Sequence, residues 1–222
     1  PTIDAENNVG NYATLNGNDS PNNYYGTLTN GALDFVGDTN AYSMLRATQP
    51  IPATGKYYYE ALFSGNSYNP RTSGSQHTAL GFCKTYEPIS SITDGNSTWL
   101  ADSGFGTNFG STRTDWYGAD IDQNKVVGVA VNRDANQAFF MVDGQLKQVL
   151  DLGADGFDDL SPFVYSYNNT QTSLVCNFGQ KDFTYYPVQS SLVTGDSLQA
   201  GYNRTKMFDG SLTTFMSHSA FG

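Results

Sequence analysis

The sequence predicts an all-β protein, built as an antiparallel β-sandwich or jelly roll. Short apolar stretches with a two-residue alternation recur along most of the 222 residues, and turn-forming Gly, Asn, Asp and Pro separate them. No sustained helical period interrupts this pattern. Aromatic residues reach 14% and charged residues are also only 14%, a neutral-polar composition typical of β-sandwiches and adhesive surfaces. We therefore expect short strands at regular spacing, packed as two sheets.

The most regular stretch runs from Lys125 to Lys147. Its first part, KVVGVAVN, is apolar on both faces, which predicts a central strand that is covered on both sides. Arg133–Asn136 break the pattern, and AFFMV then returns as a second strand. Asp143-Gly144 is the sequence of a two-residue type I′ turn, so a third strand follows. The stretch therefore predicts a three-stranded antiparallel meander on which the core is packed.

The other strands follow from the same alternation, with turn residues as boundaries. Asn30-Gly31 and Asn168-Asn169 each predict a hairpin, while Pro50 and Pro52 exclude a central strand between them. Polar loops are expected at 65–76, 84–98 and 98–118. In chain order, the predicted strands lie at 12–15, 24–28, 32–36, 41–47, 56–64, 77–83, 99–102, 125–132, 138–142, 145–150, 161–167 and 171–178.

Charge and hydropathy exclude several classes of partner. The formal net charge of −10 opposes binding to nucleic-acid phosphates and to an anionic membrane surface. No stretch of about 18 apolar residues is present, so no membrane insertion is expected. Because the chain begins at Pro1 rather than Met, we expect a processed product or a piece of a longer polypeptide. Cys83 and Cys176 lie in apolar strand contexts, which predicts two small buried side chains, although a disulfide between them stays open.

Catalytic arrangements are not found. A glycanase needs two facing carboxylates, but Glu60 in YYYEALFSG has no acidic residue two or four positions away. Glu60 is therefore interpreted as a structural carboxylate that pairs with Arg46 or Lys56. His77 and His218 have no nucleophile motif nearby. No phosphate-binding glycine loop and no Cys/His zinc spacing occur, so the sequence predicts no enzyme and no cofactor.

An acidic loop raises the question of calcium. Asp151, Asp155, Asp158 and Asp159 lie close together in the sequence. The spacing does not fit an EF-hand, because Pro162 occupies the twelfth position from Asp151, where a Glu is required. We interpret the cluster as a solvated acidic turn and predict no metal site.

Aromatic and arginine side chains on the expected polar loops are the candidate recognition residues. Such side chains bury much area on binding and lose little entropy, and aromatic faces also stack on sugar rings. For Trp99 and Trp116 the competing interpretation is a cap on the sandwich core, whereas Tyr68 and Arg71 are expected to be exposed. The six candidate partner-binding residues are Tyr68, Arg71, Trp99, Arg113, Trp116 and Tyr117.

Four segments together resemble a SPRY domain. They are GKYYYEALFSG at 55–65, TALGFCK at 78–84, NKVVGVAVNRDANQAFFMVDGQL at 124–146 and LSPFVYSYNNTQTSLVCNFGQKDFTY at 160–185. They are most similar to SPRY-like modules of bacteriophage structural and tail proteins, with Asn124-Lys125 standing where an acidic residue is common. The resemblance covers Tyr12 to Tyr186. It implies a concanavalin-like sandwich of two antiparallel sheets, no cofactor and binding through loops at one end, and it carries over no fixed functional residues.

The resemblance completes the expected organisation. Residues 1–186 are expected to form the SPRY-like sandwich, and 187–222 a linker and an extended C-terminal segment that contacts a neighbouring module or subunit. The expected function is a non-enzymatic virion module, a tail-fibre or particle-surface decoration protein, oligomeric in the particle. Its partners would be other virion subunits or modules of the same polypeptide. The alternatives are an adhesin that binds a host-surface glycan or receptor and, from another class, a jelly-roll glycanase.

Overall fold

A computed structural model describes residues 3–4, 9–10, 12–19, 26–37, 42–65, 77–86, 98–102, 106–109, 112–114, 124–152, 159–167 and 172–185. These residues form strands, turns and bends, with no helix. The strands in chain order are β1 (Ile3–Asp4), β2 (Val9–Gly10), β3 (Gly26–Thr29), β4 (Asp34–Gly37), β5 (Tyr42–Arg46), β6 (Lys56–Gly65), β7 (His77–Lys84), β8 (Thr98–Asp102), β9 (Gly106–Phe109), β10 (Thr112–Thr114), β11 (Lys125–Asn132), β12 (Gln137–Val142), β13 (Gln145–Asp151), β14 (Leu160–Tyr167) and β15 (Thr172–Asn177).

Two antiparallel sheets form the sandwich. The seven-stranded sheet has the order β13-β12-β11-β6-β15-β4-β3, and the six-stranded sheet has the order β10-β9-β8-β7-β14-β5. β1 and β2 pair separately. Every pairing within the two large sheets is antiparallel, so the predicted all-β sandwich is confirmed.

The core lies between the two sheets and is built by alternate residues of each strand. In β6, Tyr57, Tyr59, Ala61 and Phe63 all face it, as the alternation of KYYYEALFS predicts. The aromatic rings of Phe82, from the six-stranded sheet, and of Phe140, from the seven-stranded sheet, stack with centroids 5.8 Å apart. Both rings are fully buried, so this contact joins the two layers at the centre of the core.

The predicted meander is confirmed. β11 pairs with β12 on one side and with β6 on the other, and every residue from Val126 to Val131 is buried. Asp143 and Gly144 have φ of 48° and 76°, which is the conformation that a type I′ turn requires. Asn30 and Gly31 also have positive φ, and Ala32 extends that turn by one further left-handed residue. The hairpin predicted there is confirmed, with strands 26–29 and 34–37.

The outer face of the seven-stranded sheet carries a second apolar cluster. Its members are Tyr58, Ala130, Phe139, Met141 and Phe183. Phe183 follows the last strand, and its ring meets the ring of Tyr58 edge to face at 4.8 Å. The segment after β15 therefore folds back and covers the middle of this sheet.

Three sequence predictions need correction. β14 and β15 are not a hairpin, because β14 pairs with β5 and β7 while β15 pairs with β4 and β6 in the other sheet. The predicted strand at 99–102 is found as β8, but the rest of 98–118 is not one loop, since β9 and β10 form two further strands within it. The expected strand at 12–15 is reduced to a single bridge between Leu15 and Ala47.

The remaining expectations have mixed outcomes. Cys83 and Cys176 are both buried and form no disulfide, so the prediction of two small buried side chains is confirmed. Within the described part of the chain, no helix has the length and apolarity needed to cross a membrane. The division at residue 186 and the proposed role of 187–222 stay predictions, because 186–222 lie outside the described residues.

Candidate partner-binding pocket

An apolar pocket of about 300 Å³ opens at one end of the sandwich. We call this the proline end, because Pro50 and Pro52 form one of its walls. β6 begins at this end, where Lys56 pairs with Asn132, and β14 also begins here, where Ile51 bridges Leu160. The lining residues come from five parts of the chain: Tyr12, Ala13, Gln49, Pro50, Ile51, Pro52, Tyr57, Tyr59, Pro162 and Phe178.

The proline wall is held against β14 by two backbone hydrogen bonds. The amides of Ala47 and Ile51 donate to the carbonyl oxygens of Pro162 and Leu160, at 2.8 and 2.7 Å. Pro50 and Pro52 have no N–H to donate, so the residues on either side of Ile51 leave the ladder and are exposed. The alternation of proline with Ile51 therefore anchors the wall through its middle residue and presents both pyrrolidine rings at the surface.

The opposite rim is the N-terminal segment around Ala13. Thr14 and Thr48 join this segment to the proline wall: the Thr48 amide donates to the Thr14 carbonyl at 2.7 Å, and the Thr14 amide donates to Thr48 Oγ1 at 3.0 Å. From the far side, Gln180 Nε2 donates to the Ala13 carbonyl at 2.6 Å. These bonds fix the positions of Tyr12 and Ala13 at the pocket although neither belongs to a strand.

Two tyrosines of β6 form the floor. Tyr57 donates its hydroxyl to the Thr54 carbonyl, and Tyr59 donates to the Gly81 carbonyl, both at 2.6 Å. The ring of Tyr59 packs against Phe178 with centroids 5.8 Å apart. Burial raises the pKa of Tyr59 well above its ordinary value, and burial followed by the nearby Asp134 raises the pKa of Tyr57. Both hydroxyls therefore stay protonated and already use their proton within the fold.

The composition of the pocket favours binding over catalysis. Of the described residues that line it, none carries a carboxylate, an imidazole, an amine or a thiol. Proline and tyrosine rings dominate the walls, and Gln49 supplies the one side-chain amide among those residues. Such walls suit an apolar or aromatic side chain, which gains by leaving water and needs few polar partners.

Glu60 has different partners from those the sequence predicted. Its carboxylate is buried on the outer face of the seven-stranded sheet. It accepts hydrogen bonds from the Tyr58 hydroxyl at 3.0 Å and from the backbone amides of Thr184 at 2.6 Å and Tyr185 at 3.2 Å. The expected partner Arg46, the last residue of β5, instead forms a salt bridge with Asp19, in which Arg46 Nε lies 2.5 Å from Asp19 Oδ2. The structural interpretation of Glu60 therefore holds, but Glu60 binds the backbone of Thr184 and Tyr185 rather than a cation.

Arg46 and Asp159 organise the rest of the proline end. The Arg46 guanidinium also donates to the carbonyl oxygens of Lys84 and Thr85, at 3.1 and 2.5 Å. The hydrogen bond to Asp19 raises the pKa of Arg46, so the guanidinium stays charged. Asp159, one of the acids considered for calcium, accepts from the amides of Thr85 and Tyr86, at 3.1 and 3.2 Å.

The acidic cluster does not come together as a site among the described residues. Asp151 ends β13, and Asp159 lies beside Thr85. Asp155 and Asp158 lie outside the described residues. In the part of the chain that the structure describes, no group of three or more potential ligands could hold a metal ion.

The predicted recognition residues are not among the described residues that line the pocket. Trp99 is in β8, where its backbone pairs with Phe82 and Phe109, and Arg113 is in β10, where it pairs with Asn108. Tyr68, Arg71, Trp116 and Tyr117 lie outside the described residues. β6 ends at Gly65, opposite Thr172, and β7 begins at His77, opposite Tyr167, so these two strand ends lie at the other end of the sandwich from the pocket.

Sequence reasoning missed the pocket because no single segment contains it. Its lining extends from Tyr12 to Phe178, and only the pairing of distant strands brings these residues together. Two local signals were present in the sequence: the proline–isoleucine–proline stretch and the three consecutive tyrosines that open β6. From the sequence, the prolines are interpreted as a break between strands and the tyrosines as alternating residues of a strand. Both interpretations hold, but neither indicates a pocket.

Comparison with known proteins supports the fold alone. No family model matches the chain, and no curated protein matches it. Among solved structures, it is similar to the SPRY domain of human HERC1, with 13% identity and a TM-score of 0.58 over 75% of this chain and 99% of that one. It is also similar to stonustoxin, with 15% identity and a TM-score of 0.51 over 75% of this chain and 27% of that one. The TRIM65 PSpry domain gives 12% identity and a TM-score of 0.51 over 75% and 89%.

These similarities confirm the predicted concanavalin-like antiparallel β-sandwich, with SPRY domains as its structural neighbours. At identities of 12–15% they do not establish a shared function. They also do not test the likeness of the sequence motifs to bacteriophage modules.

Proposed function

We propose that this chain is a non-catalytic module that binds a protein partner, and that the proline-end pocket receives an apolar or aromatic side chain of that partner. The supporting observation is the pocket itself. Its described walls are proline, tyrosine, isoleucine and phenylalanine, without an acid, base or nucleophile. The two tyrosine hydroxyls on its floor are already bonded to carbonyl oxygens. A partner therefore gains mainly by burying apolar surface there.

A protein partner fits this pocket better than a sugar. Sugar hydroxyls need several convergent donors and acceptors, because burying an unpaired hydroxyl is costly. Among the described lining residues, Gln49 is the polar side chain besides the tyrosines, and it already has an interaction within the chain. The glycan alternative would instead depend on the predicted recognition residues Tyr68 and Arg71, which lie outside the described residues. A glycan array that gives no binding, with peptide binding intact, is the expected result.

Filling the pocket tests the proposal. Peptides that bind the wild-type chain would be selected from a random display library and their dissociation constants measured with Ala13→Phe, which adds a ring at the pocket rim. Ala53→Phe is the matched control, because Ala53 is exposed in the same region but does not line the pocket. We expect at least about tenfold weaker binding for Ala13→Phe alone, which corresponds to the loss of one buried side chain. Equal binding by both variants would mean that the pocket is not the binding site.

We further propose that the module belongs to a virion, as a tail-fibre or particle-surface protein that contacts neighbouring subunits or modules. This placement rests on the resemblance of the sequence motifs to phage modules. It is tested by identifying the chain in purified particles by mass spectrometry. A photo-crosslinking residue at Pro52 would then capture a neighbouring virion protein if the pocket is occupied there, whereas crosslinks only from position 68 would favour the predicted loop at 65–76 as the contact.

A further inference from the structure

Gln180 joins two residues of the proline-end pocket, although it is not itself among the described residues that line it. It lies shortly after the end of β15, and both polar atoms of its side chain are bonded. Oε1 accepts from the Phe178 amide at 2.7 Å, and Nε2 donates to the Ala13 carbonyl at 2.6 Å. Phe178 packs on the floor, and Ala13 belongs to the opposite rim. One side chain therefore connects two walls of the pocket.

The two partners of Gln180 require a glutamine amide in one orientation. A backbone N–H can only donate and a carbonyl oxygen can only accept, so Oε1 faces Phe178 and Nε2 faces Ala13. A glutamate has the same shape, but both of its ionised oxygens only accept. It could keep the bond from Phe178 and would lose the bond to Ala13.

The turn that carries Gln180 is itself fixed by a buried asparagine. Asn177, the last residue of β15, is 2% exposed. Its Oδ1 accepts from the Gly179 amide at 3.0 Å, and its Nδ2 donates to the carbonyl oxygens of Lys181 and Asp182 at 3.2 and 3.1 Å. The backbone on both sides of Gln180 is therefore held, and its side chain starts from a fixed position.

The bond from Gln180 is one half of a clamp on a single peptide group. The Ala13 carbonyl and the Thr14 amide belong to the same planar unit. Gln180 Nε2 binds its oxygen, while its N–H donates to Thr48 Oγ1 at 3.0 Å. Neither Ala13 nor Thr14 lies in a strand, so these side-chain bonds take the place of a sheet ladder. Without Gln180, the peptide group is held from one side only and can rotate.

A rim that is held before binding costs a partner less ordering entropy than one that must be ordered on association. Tyr12, the other rim residue, directly precedes Ala13. We propose that Gln180 is the positioning residue of the proline-end pocket: it clamps the rim at Ala13, fixes its distance from Phe178 and thereby sets the selectivity for the partner's side chain. This inference rests on the proposed partner binding, but the clamp can be measured without a partner.

Hydrogen exchange of the Thr14 amide, followed by NMR without any peptide, tests the clamp. In Gln180→Glu, the Ala13 carbonyl faces a second oxygen instead of a donor, so the Thr14 amide should exchange at least about fivefold faster. Gln148→Glu is the matched control, because Gln148 Nε2 also donates to a backbone carbonyl but lies in β13, outside the described lining. Unchanged exchange of Thr14 in Gln180→Glu would overturn the proposal.

Peptide binding tests the consequence for the pocket. In the peptides selected with the wild-type chain, the anchor is the apolar residue whose change to alanine weakens binding most, by at least about tenfold. With Gln180→Glu this preference for the anchor over alanine should fall to about threefold or less, and with Gln148→Glu it should not change. Gln180→Met, which removes both bonds and keeps the length of the side chain, is the second variant and should show the same loss. Melting temperatures verify that each variant remains folded.

The two proposals fail in different ways. If Ala13→Phe weakens peptide binding while Gln180→Glu and Gln180→Met leave the anchor preference unchanged, the pocket binds the partner but Gln180 does not position it. If Ala13→Phe has no effect on the selected peptides, the partner binds elsewhere. Exchange of the Thr14 amide alone then decides whether Gln180 clamps the rim.

Discussion

The phenol ring of Tyr58 lies directly over the α-carbon of Gly128 on the neighbouring strand. A Cβ atom on Gly128 would fall 2.8 Å from Tyr58 Cε2 and closer still to the hydroxyl oxygen. The ring has no room to withdraw, because Tyr58 is 1% exposed and packs against Phe183. The Tyr58 hydroxyl donates to the Glu60 carboxylate. Because Gly128 has no side chain, it leaves the space that the Tyr58 ring needs to reach this carboxylate.

We therefore expect Gly128→Ala to lower the free energy of unfolding by about 1–3 kcal/mol, the usual cost of overpacking a filled core. Urea denaturation measures the change. In a double-mutant cycle, Tyr58→Phe removes the nearest atom, the hydroxyl oxygen, and should recover at least about 0.5 kcal/mol of the Gly128→Ala penalty. Strict additivity of the two substitutions would show that the Tyr58 hydroxyl does not interact with the added methyl group.

Glu60→Gln tests how Thr184 and Tyr185 are attached to the seven-stranded sheet. The carboxylate uses Oε1 for the Thr184 amide and Oε2 for the Tyr58 hydroxyl and the Tyr185 amide. A glutamine keeps one accepting oxygen, so at least one of these donors is left buried and unpaired, at a cost of about 1–3 kcal/mol. Hydrogen exchange of the Thr184 and Tyr185 amides should accelerate. Unchanged protection of both amides would contradict the assignment.

The sequence predicted those parts of the fold whose signals are local. Val126–Val131 and Asp143-Gly144 specify a doubly buried strand and a type I′ turn within a few residues, and both are found. The two faces of β6 also follow directly from the alternation of KYYYEALFS. Such elements need no knowledge of distant partners.

The wrong predictions concern elements whose place in the fold is decided by pairing between residues that are far apart in the sequence. A tight hairpin and a connection that crosses between two sheets have the same local pattern, so Asn168-Asn169 was interpreted as a hairpin although β14 and β15 belong to different sheets. β9 and β10, with the sequences GTNF and TRT, have almost no apolar alternation to mark them as strands. The pocket is the extreme case, since Tyr12 and Phe178 meet there only after both sheets have formed.

Phe140→Ala should be among the most destabilising single substitutions. Phe140 is fully buried, lies in the central meander and stacks on Phe82 across the two sheets. Truncation removes this contact and leaves a cavity, so the free energy of unfolding should fall by about 3–5 kcal/mol. Val149→Ala, at an exposed position on the edge strand β13, is the control and should cost far less. A chemical denaturation midpoint that does not move for Phe140→Ala would mean that the strand is wrongly placed.

Cys176 should resist thiol reagents in the folded protein. Burial, followed by the nearby Asp34, raises the pKa of this thiol to about 12. Since only the thiolate reacts, iodoacetamide at pH 8 should modify Cys176 after unfolding but not before it, as mass spectrometry would show. A raised folded pKa means that the thiol contributes stability below the unfolded pKa of about 8.5 and loses it as the pH rises towards 12. Cys176→Ala should remove the part of the loss of stability above pH 9 that this thiol causes.

The final prediction concerns where the folded module ends. Phe183 is buried against Tyr58, and Thr184 and Tyr185 are bonded to Glu60, so the chain belongs to the sandwich at least to Tyr185. Val188–Ala200 has the composition of a linker, but the residues after it are too apolar for a freely solvated tail. We expect 201–222 to pack on another subunit or module. The apolar residues concerned are Tyr202, Met207, Phe208, Phe215, Met216 and Phe221.

Two truncations separate this expectation from a tail that completes its own domain. Ending the chain after Ala200 should leave the melting temperature of the isolated module within about 2 °C of the full chain, while assembly with its neighbours is lost. Ending it after Asp182 removes Phe183 and both Glu60 bonds, and should lower the melting temperature by roughly 10 °C, because several kcal/mol of buried contacts disappear. A comparable drop for the truncation after Ala200 would mean that 201–222 pack on the sandwich itself.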